Sequence, residues 1–329
     1  MSRIERLIHR HAVLPAAPPA PVAPIEARGR TARKVRNSIR RGSSVILRVP
    51  RWGAVSDFLE AVALELAVGE PAFLCRTVGF PSLRGRSLPE VWQVVLHLFS
   101  QLGEPRWVQG APLAITDAHG FRYALGALLD GVAARSGQPC ALLVYGLEHL
   151  PVQVVSDLCE VWNRWRKPEH AATLLLATAA GSAPLTLEGA ELVELADYGE
   201  DEALAALSSH ATVFPSRALR AAARFTGGIP CLVDALCSRL VAQELPSVSP
   251  TALLDSLGPL ADELRGAVDI ASTDDALSDR LQSLLGGDAL PWDPEVDGPL
   301  SEAGLVRSAR GSSAPMAVLR APALAALVA

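Results

Sequence analysis

A chain of 329 residues, half of them apolar, is long enough to bury one large α/β core and one or two smaller helical ones. Its formal net charge of -5 gives no support for a nucleic-acid surface spread over the whole molecule, and no run approaches the roughly 18 apolar residues of a membrane span. Met1 to His11 carries Arg3, Glu5, Arg6 and Arg10 with no apolar stretch behind them, so the segment does not read as a secretory leader and a cytoplasmic setting is expected. The five cysteines are an odd number scattered through apolar segments, which suits reduced core thiols, and the seven histidines are dispersed, so no metal site is expected.

In chain order, residues 13–25 read V-L-P-A-A-P-P-A-P-V-A-P-I, a stretch that cannot hold helix or strand ladders. Residues 1–26 are therefore expected to be a flexible Pro/Ala-rich arm. Next comes a segment with helical potential that ends at Gly42 and carries Arg28, Arg30, Arg33, Lys34, Arg36, Arg40 and Arg41. Two readings are open for these cations: a solvated helix face, or a surface for an acidic or nucleic-acid partner. Short apolar runs then alternate with amphipathic stretches. Strands are predicted at 44–49, 72–78, 141–146, 172–178 and 191–195, with helices near 54–67, 88–102, 118–135 and 151–166 between them. This is the pattern of a parallel sheet with helices on both faces. From about residue 199 helices dominate, near 200–208, 216–225, 230–243, 250–268 and 274–285, followed by L-S-E-A-G-L-V at 300–306 and a short strand at 317–320.

The first strand leads into the segment of greatest chemical interest. A phosphate-binding loop follows a buried strand and opens a helix as G-x-x-x-x-G-K-[ST]; its backbone N–H groups cradle phosphate, and its lysine and hydroxyl hold phosphate and magnesium. Here residues 48–55 read R-V-P-R-W-G-A-V. Only the second glycine, Gly53, remains. Arg48 replaces the first glycine, Ala54 the lysine and Val55 the hydroxyl residue, while Pro50 deletes a backbone N–H. Arg48 and Arg51 offer positive charge in compensation, at about 1.5–3 kcal/mol for a charge-assisted hydrogen bond, but Trp52 and Val55 fill the loop with apolar bulk. Further on, the segment A-L-L-V-Y-G-L-E-H-L-P places Tyr145 at the strand end where a magnesium-binding aspartate is needed, and Glu148 shortly after it. A phenol does not replace a carboxylate on magnesium at neutral pH.

These segments resemble the AAA+ and STAND families of P-loop ATPases. The strand end is similar to the STAND pattern hhhh-D-G-L-[DE]-x-L-P, and A-T-L-L-L-A-T-A-A-G at 172–181 looks like the strand whose end carries a polar sensor residue, here Thr178. F-T-G-G-I-P-C-L-V-D-A-L-C at 225–237 is similar to the lid motif T-G-G-x-P-x-L-[ILV]-x-x-L of STAND and origin-recognition-type ATPases, in which Gly228 and Pro230 form the turn that approaches nucleotide. The same turn reads equally as a glycine stop followed by a proline at the first helical position, with no ligand. The resemblance implies a degenerate P-loop domain over 27–198 with a five-stranded parallel sheet, a helical lid over 199–247, and a winged-helix-like domain over 248–329. It implies a nucleotide site at Arg48, Pro50, Arg51, Gly53, Ala54, Val55, Tyr145, Glu148, Thr178, Gly228 and Pro230, with both magnesium-binding and phosphate-binding motifs lost. The expected function is that of a pseudo-ATPase without cofactor, serving as a scaffold or regulator that meets protein partners or copies of itself, in keeping with the defence and signalling roles of many bacterial STAND-like proteins. The alternatives are a DNA-binding adaptor of the origin-recognition or transposon-regulator type, and a switch that binds ATP and magnesium without efficient hydrolysis. Arg164, Arg166 and Lys167 lie near where AAA+ proteins often place an arginine finger, but the stronger reading is that of cations favoured at a helix C-terminus.

Overall fold

The computed structural model describes residues 26–83, 85–100, 115–135, 139–166, 171–179, 182, 184–210, 214–241, 250–285, 289–310 and 315–328. The expected arm over residues 1–26 lies outside them except for its last residue, as does Lys167. The chain divides into two compact units. Unit 1 takes 31–49 and 55–194; unit 2 takes the segment up to Arg30, the short loop Pro50–Ala54 and everything from Leu195 onward.

Unit 1 holds helix α1 (Glu26–Arg40, from Thr31), strand β1 (Val45–Val49), α2 (Val55–Ala67), β2 (Leu74–Gly79), α3 (Leu88–Ser100), α4 (Ala118–Arg135), β3 (Cys140–Tyr145), a single tight turn at Leu147–His149, α5 (Val152–Trp165), β4 (Ala172–Ala179) and β5 (Glu191–Glu194). The five strands form one parallel sheet in the order β2-β3-β4-β1-β5, so β4 lies between β1 and β3. β3 and β4 are buried almost throughout, because a parallel strand covered on both faces must be apolar at every position. Leu142, Val144, Leu174 and Leu176 face one side and join a core with Phe121 of α4, Val95 of α3 and Trp162 of α5. α2 packs along β2 and β3 on the other side. The tilted pair Trp162 and Trp165, with ring centroids 5.1 Å apart, sits in that first core, and the Trp165 indole N–H donates to Asp130 at 2.8 Å. Both tryptophans are structural.

Unit 2 continues with α6 (Glu200–His210), α7 (Ser216–Thr226), α8 (Pro230–Val241), α9 (Pro250–Ser256), α10 (Pro259–Ala271), α11 (Asp275–Leu285), β6 (Leu290–Pro291), α12 (Pro294–Glu302), β7 (Val306–Arg310), β8 (Pro315–Leu319) and α13 (Pro322–Val328). β6, β8 and β7 make a small antiparallel sheet in that order. The sequence separates a lid from a C-terminal domain at residue 247, yet Leu207, Leu232, Leu264, Leu284, Leu305 and Leu324 belong to one core. The helix expected over 250–268 is two. Gly258, at φ 55° and ψ -130°, turns the chain, and Pro259 starts α10 at a position where its missing N–H costs nothing.

Candidate functional site

Within unit 2 the loop Pro50–Ala54 offers its carbonyl oxygens, one after another, to donors elsewhere in the unit. The Arg51 carbonyl accepts from Nη1 of Arg320 at 2.7 Å, and the Trp52 carbonyl accepts the backbone N–H of Cys231 at 3.3 Å. The Gly53 carbonyl accepts from Nη2 of Arg28, whose Nη1 reaches the Ala54 carbonyl at 3.5 Å. Two of these carbonyls belong to residues in the left-handed region, Trp52 at φ 61° and Ala54 at φ 43°. Such backbone persists only where the surroundings over-determine it. Trp52 is fixed by its packing against the unit 2 core, by the N–H of its indole donating to Glu263 at 3.2 Å, and by the Arg51 guanidinium stacked 4.7 Å from its ring centroid.

Two arginines organise this arrangement. Arg28 is 6 % exposed, lies 4.7 Å from the ring centroid of Tyr198, and also reaches the Ala196 carbonyl. Its place in a partner surface is thereby corrected: three carbonyls and an aromatic face satisfy its charge inside unit 2. Arg320 is 2 % exposed and forms a bidentate pair with Asp197 at 2.8 and 2.6 Å, keeping one nitrogen for the loop. A planar guanidinium suits this division of donors, as a lysine would not. Arg320 and Asp197 carried no signal in the sequence, because their partners are remote along the chain.

The lid motif is explained within the same unit. Gly227, at φ 59°, ends α7 with its N–H on the Arg224 carbonyl. Gly228, at φ 79°, accepts the N–H of Tyr198 at 2.9 Å, and a Cβ on it would stand 1.9 Å from the Tyr198 carbonyl oxygen. Pro230 then opens α8. Glycine is required here by packing against backbone.

In unit 1 the remaining expected site residues do not share one face. Val144 pairs with Leu176, so Tyr145 points to the side opposite Leu176 and Thr178. The Tyr145 ring lies over its in-register neighbour Gly79, whose missing Cβ would be 2.3 Å from Tyr145 Cζ. Burial raises its phenol pKa, and the carboxylates of Glu60 and Asp57 on α2 add to the rise, so the oxygen stays protonated at neutral pH. Glu148 is 40 % exposed, 3.9 Å from His149. Arg48, exposed near the end of β1, is the direct cross-strand partner of Thr178. Val55 begins α2. Among the described residues no cluster of three His, Cys, Asp or Glu could hold a metal.

Other cations of the first helix serve the fold. Arg36 pairs with Glu65, and Arg41 donates to Glu191 at 2.7 Å beside the Ser38 hydroxyl. Arg30, Arg33, Lys34 and Arg40 are exposed. Arg164 pairs with Glu160 at 2.5 Å, and Arg166 donates to the Gly42 carbonyl just past α1.

No protein-family model matches the sequence, and no curated protein shows significant similarity to it. Solved structures similar to the chain are P-loop ATPases of the AAA+ kind. One is a STAND protein with a tetratricopeptide repeat sensor from Pyrococcus horikoshii, at 12% identity and TM-score 0.42. The match covers 90% of this chain and 41% of that protein, so the chain spans less than half of its length. Cdc6p from Pyrobaculum aerophilum is similar over 96% of each chain, at 11% identity and TM-score 0.49. RuvB of Thermotoga maritima matches over 88% of this chain and 90% of its own, at 13% identity and TM-score 0.42. This is a likeness of chain path alone. No described helix is long and apolar enough to cross a membrane.

Proposed function

We propose that the chain is a non-catalytic counterpart of the AAA+ and STAND ATPases, acting through protein contacts as a scaffold or regulatory component. One observation carries this reading: the segment at the place of the phosphate loop has the carbonyls of Arg51, Trp52, Gly53 and Ala54 engaged by the protein's own donors. A phosphate cradle works through N–H groups and a lysine. Here one N–H is replaced by Pro50 and the lysine position is Ala54. These residues do not fit a magnesium nucleotide, and Tyr145, turned onto Gly79 with its phenol protonated, does not fit the metal. In this reading the parallel sheet and helical layer persist as a platform, and the former loop is a fastening of unit 2.

The DNA-adaptor reading is the runner-up. The small sheet of unit 2 supports a winged-helix-like description, and Arg307 on β7 is exposed, but Arg320 is consumed by Asp197 and Arg28 by the loop. Partner oligomers and a bacterial defence or signalling setting belong to the same proposal as its biological frame.

The test is calorimetric titration with ATP and magnesium, then ADP, beside a thermal-shift scan, since a ligand that binds only the folded state must raise the melting temperature. Silence at millimolar nucleotide is expected. A saturable signal overturns the proposal in favour of a nucleotide switch. Salt-sensitive DNA binding that is lost when Arg33 and Lys34 are neutralised would favour the adaptor.

A further inference from the structure

Unit 1 carries a groove of about 580 Å³ between the Leu147–His149 turn, α5 and the segment after β4. That volume falls in the range of small-molecule sites, roughly 300–1,000 Å³. Leu147, Leu150, Val155 and Leu185 give it apolar walls. Thr178, at the end of β4, also lines it; the residue is 6 % exposed and its hydroxyl has no hydrogen-bond partner among the described residues. A buried hydroxyl left unpaired is unfavourable and marks a position that a ligand group or water completes.

Arg48 stands beside it. Adjacent strands lie about 4.8 Å apart, and direct cross-strand partners send their side chains to the same face, so the Arg48 and Thr178 side chains leave the sheet together. Arg48 is exposed and forms no ion pair among the described residues, although Glu194 on β5 is its neighbour on the other side. The carboxyl ends of two central strands therefore present a vacant hydroxyl on the groove lining and, one strand over on the same face, a cation. Parallel sheets characteristically place ligands at that end. Glu160 on the lining is neutralised by Arg122 and Arg164, while Glu148 repels an anion from the turn and leaves Arg48 and Thr178 as its place.

We propose that this groove binds a small amphiphile, its apolar body against Leu150, Val155 and Leu185 and a single anionic head, carboxylate or phosphate monoester, at Arg48 and Thr178. The groove and its head share Arg48, Glu148 and Thr178 with the nucleotide site that the sequence resemblance implies, so the inference rests on the reading that nucleotide does not bind there, while the loop Pro50–Ala54 takes no part in it.

Octanoate and octyl phosphate are titrated calorimetrically into the full chain, with octylamine and octanol as the matched cation and neutral probes. Both anions are expected to bind, the tighter of them naming the head, and both more tightly than either control. Arg48→Gln should weaken anion binding about tenfold or more, and Glu194→Gln, which removes the competing carboxylate, should strengthen it. Thr178→Val should weaken binding while leaving the melting temperature of the free protein unchanged or higher, since it deletes an unpaired buried hydroxyl. That divergence separates a ligand contact from a structural one. No binding of either anion up to its solubility, equal binding of octylamine, or anion affinity unchanged in both Arg48→Gln and Thr178→Val overturns the proposal.

Discussion

Replacing Arg320 with methionine removes the bidentate pair with Asp197 and the donor to the Arg51 carbonyl, while keeping an apolar stem of similar length. With side chains 2 % and 9 % exposed, this pair is buried, and removing one partner leaves an uncompensated carboxylate in the interior. Loss of one member of such a pair costs about 3–5 kcal/mol, whereas an exposed pair is worth about 0–1 kcal/mol. Urea unfolding of Arg320→Met, Asp197→Asn and the double variant gives the cycle: each single change should be costly, and the double should cost much less than their sum. Limited trypsin digestion supplies a local readout. Cleavage after Arg51 should accelerate in Arg320→Met beyond what lower global stability predicts, because its carbonyl has lost the guanidinium donor. A stability loss below about 1 kcal/mol with unchanged cleavage at Arg51 would refute the fastening role of Arg320.

Two glycines should respond to alanine in opposite directions. Gly228→Ala forces a Cβ to within 1.9 Å of the Tyr198 carbonyl oxygen at a φ of 79° and should cost more than about 2 kcal/mol or block folding; Gly126→Ala, in α4 with nothing within 4 Å, should stabilise by about 0.5–1 kcal/mol in the same urea assay. Asp297 should govern part of the acid limit. Burial alone would raise its carboxyl pKa, but the hydrogen bonds from Arg280 and the Asp293 N–H outweigh burial and hold it below the usual range. A depressed folded pKa gives stability that is fully present well above the unfolded value near 3.9 and is lost as pH falls through the folded one. Asp297→Asn should therefore lower stability at neutral pH and flatten its decline below about pH 4; an unchanged acid profile would remove Asp297 from the account.

The sheet was legible because its central strands are uniform apolar runs, a consequence of cover on both faces. β1, β3 and β4 appear within a residue of their predicted ends. The break between α9 and α10 was signalled by Gly258-Pro259, a turn pair that outweighs the helical periodicity on either side. β6 has two residues and α12 contains Pro299, so neither presents a period to read. At the candidate site, the departures of Ala54 and Tyr145 from the lysine and aspartate of the motifs they resemble were readable by position, since which residue stands at a position is a local fact. The contacts that hold the loop were not. Arg28 and Arg320 act across separations of 25 and 269 residues, and a basic stretch such as 28–41 does not disclose which of its cations faces inward.

The separation of Arg51 from Arg320 also sets a schedule for synthesis. At roughly 5–20 residues per second, the guanidinium that closes the loop is made roughly 13–54 s after the carbonyl it will hold. Through that interval the loop lacks one of its fasteners, and over the last 123 residues of it the nascent chain also carries Asp197 without its counter-ion. A chain released before Arg320, the residue just after β8, would keep that defect, so the acquisition of unit 2 stability is a late event, and premature termination in this region should yield a species that proteolysis and chaperones distinguish from a chain that includes Arg320.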